Sequence, residues 1–102
     1  MTGEELETAL NSAGVRQSEA AELFRITRPT LLRWFAGVTP KQIVSYDVAV
    51  QITKILLMAV KMGRLPVSAD IKGKARLAQI RATVTTVTAL AREAARIKGG
   101  VK

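Results

Sequence analysis

The sequence predicts an all-α protein, with about four helices in an N-terminal bundle followed by one long C-terminal helix. Apolar residues recur at spacings of three and four along most of the chain, and Gly or Pro separates these periodic segments. The 102 residues are 48% hydrophobic but only 4% aromatic, which suits helices packed through small aliphatic side chains. The length is enough for one core, and we expect an N-terminal unit over 1–66 and a C-terminal helical unit over 67–102.

The first two helices have clear local signals. Thr2 and Glu5 fit the Ser/Thr-x-x-Glu capping box, and Gly14 is suited to the left-handed conformation that closes a helix. These signals predict a first helix over 3–13. Apolar spacing predicts a second helix over 17–24.

A third helix is predicted over 28–36, after a three-residue turn. Thr27 is a good N-cap, and Pro29 falls in the first turn, where its missing N–H costs nothing. Leu31, Trp34 and Phe35 then form the inner face of this helix.

A fourth helix is predicted over 47–62, and it is apolar nearly all round. Such a helix must be buried on more than one side. Either another subunit or the C-terminal segment covers it, and the sequence leaves both open.

The last helix is predicted to begin near Ser68 and Asp70 and to run to about Ile97, with Gly73 as a possible break. An apolar stripe at heptad spacing follows its length. We predict that this stripe is an oligomer interface; the alternative is that it folds back onto the fourth helix. Its members are Leu77, Ile80, Val84, Val87, Ala91 and Ala94.

The composition excludes several functions. The chain has no Cys and no His, so it lacks disulfides, a thiolate nucleophile, the usual zinc ligands and the commonest general base. We therefore expect no enzyme activity, no metal and no cofactor. No apolar run approaches the roughly 20 residues of a membrane span, and the acidic N-terminus is unlike a signal peptide, so we expect a cytoplasmic protein that does not bind membranes.

The charge is unevenly distributed. Sixteen basic and eight acidic residues give a net charge of +8, which favours a polyanionic partner. Residues 1–51 carry five basic and six acidic side chains, whereas residues 52–102 carry eleven basic and two acidic. Four basic residues gather on the side of the last helix opposite its stripe, and we predict that they form an accessory basic face, either solvated or in contact with phosphate: Lys74, Arg81, Arg92 and Arg96.

The second and third helices meet across three residues, which is the geometry of a helix-turn-helix. In that motif the second helix lies in the DNA major groove while the first braces it. Burial of the inner face turns the other side of the third helix outward, and Arg can bond guanine while Leu can contact a thymine methyl. The predicted base-reading residues are Arg28, Pro29, Thr30, Leu32 and Arg33.

At these helices the chain resembles the phage repressor and Cro-like helix-turn-helix family. The matching residues are Gln17, Ala21, Ile26, Leu31 and Trp34, with Gly37 and Pro40 similar to the family's link to its next helix. The resemblance covers about residues 4–60. It departs at Arg25, where the family usually has Gly in a left-handed turn, so a non-Gly residue there implies some strain.

The resemblance implies that Gln17 bonds a DNA phosphate at the start of the second helix, helped by the helix dipole. Ser18, Thr39 and Lys41 are predicted as further phosphate contacts.

Together these features predict a sequence-specific binder of double-stranded DNA that forms a homo-oligomer, with a dimer favoured. The resemblance implies a phage or prophage transcriptional repressor. Two alternatives stay open: a DNA-packaging recognition subunit similar to a small terminase, and the antitoxin of a toxin–antitoxin pair.

Overall fold

A computed structural model describes residues 1–38 and 43–100, without the side chains of residues 43 and 98–100. Within these ranges the chain forms five α-helices and no strand, which confirms the all-α prediction. The helices are α1 (Gly3–Ser12), α2 (Gln17–Phe24), α3 (Arg28–Phe35), α4 (Ile43–Lys61) and α5 (Lys74–Gly100).

The ends of α1 follow from local sequence signals. The Thr2 backbone N–H donates to Glu5 Oε1 at 3.0 Å, and the Glu5 N–H donates to Thr2 Oγ1 at 3.1 Å, so the predicted capping box is confirmed. The hydrogen bonds from Thr2, the backbone one first, lower the pKa of Glu5. At the other end Gly14 has φ 68°, the left-handed value expected after a helix.

Helix α4 begins one turn earlier than its apolar pattern predicts, at residue 43 rather than 47. Tyr46 explains the difference because it makes tertiary contacts. Its ring packs edge-on against Trp34 with centroids 5.2 Å apart, and its hydroxyl donates to the Met1 carbonyl at 2.8 Å. Burial, then the nearby Glu5 charge, raises the pKa of Tyr46.

Helix α5 begins at Lys74, so the prediction of a start near residues 68–70 is wrong. Gly73 has φ 63°, a left-handed conformation that cannot continue a helix. The connection between α4 and α5 is not helical, and it packs against the core through the buried side chains of Leu65 and Val67.

The threonine-rich part of α5 stays helical although β-branched residues favour strands. The hydroxyls of Thr83, Thr85 and Thr88 donate to the carbonyls four residues earlier, at 2.8, 3.1 and 2.7 Å. Each hydroxyl is thereby satisfied within the helix.

One hydrophobic core joins all five helices. Each helix contributes a buried residue to it: Leu6 from α1, Phe24 from α2, Leu31 from α3, Leu56 from α4 and Ile80 from α5. Helix α4 is central, because α1 and α2 pack on it and α5 covers a further side. This arrangement confirms that the C-terminal segment covers part of α4.

The predicted interface stripe of α5 needs a correction. Ile80 and Val87 have no exposed surface, because they are buried in the core against the chain's own α4. These two residues are therefore intramolecular core. Leu77, Val84 and Ala91 are half-buried, and Ala94 is exposed.

Gly3 marks the closest approach between α1 and α3. A Cβ atom there would overlap the carbonyl oxygen of Trp34. We expect Gly3→Ala to lower the free energy of unfolding by about 1–3 kcal/mol, as overpacking does. Urea denaturation measures this, and Thr8→Ala on the exposed face of α1 is the control. An unchanged midpoint for Gly3→Ala would show that the two helices separate without cost.

Candidate nucleic-acid interface

Helix α3 presents one face to the core and the other to solvent. Leu31 and Trp34 are buried, whereas Pro29, Leu32 and Arg33 are exposed, as the sequence predicts. Leu32, in the middle of this short helix, is 42% exposed. The solvent face therefore combines an apolar centre with a cation beside it.

Arg28, at the start of α3, reaches across to the start of α2. Its Nε and Nη2 atoms donate to Gln17 Oε1 at 3.2 and 3.0 Å. The structure thus brings together a predicted base-reading residue and a predicted phosphate contact. Because the Gln17 carbonyl oxygen accepts from Arg28, the amide NH₂ is the group suited to donate to a phosphate.

The other predicted contacts are placed differently. Thr30 is half-buried, and its hydroxyl lies 2.9 Å from Thr27 Oγ1, so it supports the helix N-terminus as well as facing outward. Ser18 is exposed in the first turn of α2. Thr39 and Lys41 lie outside the residues that the structure describes.

The turn between α2 and α3 contains a left-handed arginine. Arg25 has φ 56° and ψ 46°, and its N–H donates to the Glu22 carbonyl at 3.2 Å. A non-glycine residue in this conformation costs about 1–2 kcal/mol. The side chain itself is exposed. The departure from glycine that the sequence indicates is therefore accommodated without a change of turn.

The local charge around α3 is positive even though the first half of the chain is not. The sequence has no carboxylate between Glu22 and Asp47, and Arg25, Arg28 and Arg33 all fall in this interval. All three are exposed. A polyanion approaching α3 therefore meets cations on that helix and on the turn before it.

Two members of the predicted accessory basic face lie beside α2. Lys74 and Arg81 line a cavity of about 570 Å³ together with Arg16 and Ser18 and with the carboxylates of Glu19 and Glu22. Arg81 also lies 3.9 Å from Glu22, a long and exposed ion pair.

The other two members lie far along α5. Arg92 is 18 residues beyond Lys74, or about 27 Å along the helix axis. Arg96 is paired with Glu93 at 2.6 Å. The predicted basic face is therefore divided, and only its first half adjoins the helix-turn-helix.

An ion pair that the sequence analysis missed holds α2 in place. Arg76 Nε lies 2.8 Å from Glu19 Oε2, and both side chains are about nine-tenths buried. The same guanidinium donates to the Gly14 carbonyl, and Glu19 Oε1 accepts the Arg16 N–H at 2.9 Å. A glutamate in the first turn of a helix indicates a capping role, but nothing local in the sequence indicates its partner 57 residues later.

The structure gives no sign of a metal site or a membrane span in the parts it describes. No three metal-ligating side chains come together there, and none of the helices combines the length and apolarity needed to cross a bilayer. Comparison with models of protein families, with curated proteins and with solved structures gave no match.

The left-handed conformation of Arg25 lowers the stability of the fold, and a substitution can measure this cost. Arg25→Gly should raise the free energy of unfolding by about 1 kcal/mol, because glycine adopts this conformation without a Cβ clash. Arg25→Ala removes the same charge but keeps the Cβ atom, so it should give no such gain. Equal stabilisation by both variants would show that charge, not backbone conformation, is the cause.

Proposed function

We propose that this protein binds double-stranded DNA in a sequence-specific manner, with α3 in the major groove, and acts as a transcriptional repressor. The observation that carries the proposal is the outer face of α3. It holds exposed Pro29, Leu32 and Arg33 on a helix whose other face is fixed in the core. A helix braced in this way by a preceding short helix is the arrangement that presents side chains to base edges.

The residue types on this face suit base recognition. An Arg side chain donates two parallel hydrogen bonds to guanine O6 and N7, and an aliphatic side chain contacts the thymine methyl. Arg33 and Leu32 are neighbours on the solvent face and supply both kinds of contact. Arg28 would read a base from the start of the helix while Gln17 holds its guanidinium.

The surroundings of α2 suit contact with the DNA backbone. The Gln17 amide, the Ser18 hydroxyl and the Lys74 ammonium are donors near the start of that helix, where the helix dipole favours an anion. Arg81 lines the same cavity and would add to this contact. Such contacts position a protein on DNA, while the groove face of α3 selects the sequence.

The regulatory part of the proposal rests on the resemblance of residues 4–60 to phage repressor and Cro-like proteins. A protein of this kind acts by occupying an operator and excluding polymerase. Selection from random DNA duplexes tests the proposal directly. Enrichment of a consensus sequence is the expected result, and failure to enrich any sequence would contradict it.

Arg33 provides the sharpest test of base reading. Arg33→Ala should weaken binding to the selected site by about 1–3 kcal/mol and relax the base preference at one position. Equilibrium titration of the selected and scrambled duplexes measures both effects, and Arg92→Ala on α5 is the matched control. An equal loss on both duplexes would show that Arg33 only attracts phosphate.

A substitution at Lys74 tests whether only the first half of the basic face, beside α2, contacts DNA phosphates. Lys74→Ala should weaken binding to all sequences alike and reduce the slope of log K against log salt by about 1. Arg96→Ala should leave the slope unchanged, because Arg96 is paired with Glu93 on the far half of α5. The reverse outcome would place the DNA backbone along the end of α5 instead of beside α2.

A further inference from the structure

Helix α4 carries an apolar face that the other described parts of the chain leave mostly exposed, with Ile55 near its middle packing partly against the core. Six residues lie on this face at successive spacings of four, three, four, three and four, and we call them the α4 stripe: Val44, Val48, Gln51, Ile55, Met58 and Met62, the last just beyond the helix. Val44 is 74% exposed, and Val48, Met58 and Met62 are 45%, 39% and 48% exposed. The opposite side of α4, with Ala49, Thr53 and Leu56, is the one that the core buries.

We infer that the α4 stripe binds the α4 stripe of a second copy of the chain, with the two helices antiparallel. Apolar residues at heptad spacing pack against the same pattern on a partner helix. The spacings between successive stripe residues are the same counted from either end of the helix, so two antiparallel stripes can match residue for residue. An antiparallel pair centred near Thr53 therefore places Val44 opposite the partner's Met62, and Val48 opposite the partner's Met58.

The charges beside the stripe specify the antiparallel direction. Asp47, Lys54 and Lys61 lie along one edge of the stripe, with the acidic residue near the start and Lys61 at the end of the helix. Antiparallel pairing places Asp47 beside the partner's Lys61 at both ends of the interface and Lys54 beside the partner's Lys54 at its centre, which makes two attractive contacts and one repulsive contact. Parallel pairing would place the two copies of this edge on opposite sides of the seam, so Asp47 and Lys61 could not pair.

Gln51 favours the register in which the two α4 stripes are centred near Thr53. It is the one polar member of the α4 stripe, and it is exposed near the middle. A single polar residue in an apolar seam selects one register and orientation at a cost in affinity. In the antiparallel pair Gln51 lies opposite the partner's Ile55, so that the two Gln51 side chains flank the two-fold axis.

The size of the α4 stripe indicates a modest affinity. Nineteen helical residues extend about 28 Å. A single helix pair of that length buries less than the roughly 1,200–2,000 Å² of a standard stable interface. We therefore expect a dissociation constant of order micromolar. This surface is separate from the groove face of α3, so the dimer and the proposed DNA binding are tested independently.

Sedimentation equilibrium of the full chain without DNA tests the interface. The wild-type chain should form dimers over about 1–500 µM. Val48→Lys should weaken dimerisation at least about tenfold, because the cation falls in the apolar seam. Thr86→Lys is the control, since it adds the same charge at an exposed position of α5. Circular dichroism and urea unfolding should show that both variants stay folded. A monomeric wild-type chain, or a dimer unaffected by Val48→Lys, would overturn the inference.

Charge reversal tests the direction. Asp47→Lys and Lys61→Asp should each weaken the dimer by about tenfold, since each places like charges together at both ends. The double variant should restore the wild-type constant, because the pairs reform with opposite sign. Failure of the double variant to recover would exclude the antiparallel arrangement.

Cysteine crosslinking gives a second test of whether the two α4 helices are antiparallel. The chain has no native cysteine, so only the introduced cysteines can form a disulfide. An equimolar mixture of Val44→Cys and Met62→Cys chains should form a disulfide-linked heterodimer on mild oxidation. Val44→Cys alone should not crosslink, because the two copies of residue 44 are about 27 Å apart in the antiparallel pair. Efficient crosslinking of Val44→Cys alone would show a parallel pair and overturn the proposal.

Discussion

The burial of Trp34 is the constraint on which the orientation of α3 depends. An eight-residue helix is not stable in isolation, so packing must supply what local propensity cannot. Trp34 packs against Tyr46 of α4, and the backbone beside it lies against Gly3 of α1. Because these contacts come from two different helices, α3 cannot rotate about its axis without breaking one of them. The exposure of Leu32 and Arg33 is thus a consequence of what holds the other face.

The Arg76–Glu19 pair gives α2 a comparable constraint. A buried ion pair gains little over an apolar contact of the same volume, but removal of one partner leaves an uncompensated buried charge. Here one guanidinium contacts the carboxylate at the start of α2 and the carbonyl of the turn before it. Since the arginine belongs to α5, the C-terminal helix helps to fix the position of α2. The α2–α3 pair and the C-terminal helix are therefore parts of one packed unit.

The sequence predicts those features that depend on interactions between residues close together in the chain. The capping box at Thr2, the N-cap at Thr27 and the outward face of α3 all follow from interactions within a few residues, and the structure agrees with each. The start of α4 differs from the predicted one because Tyr46 contacts residues 12 and 45 positions away. Periodicity identifies the apolar face of α5 but not what covers it, so the predicted oligomer interface is wrong at Ile80 and Val87. For the same reason no pattern indicated that Arg76 pairs with Glu19, or that Arg28 bonds Gln17.

Net charge connects the two proposed interactions. Each chain carries a formal charge of +8, so two chains repel at low ionic strength, and only the apolar α4 stripe and its end pairs oppose that repulsion. Salt weakens the repulsion but also weakens contacts with phosphate. The two equilibria therefore respond to salt in opposite directions when each is considered alone. If the protein binds DNA as proposed, the phosphates of the duplex would neutralise the cations that make two chains repel each other. In that case the proposed antiparallel pair would be more stable on DNA than in free solution.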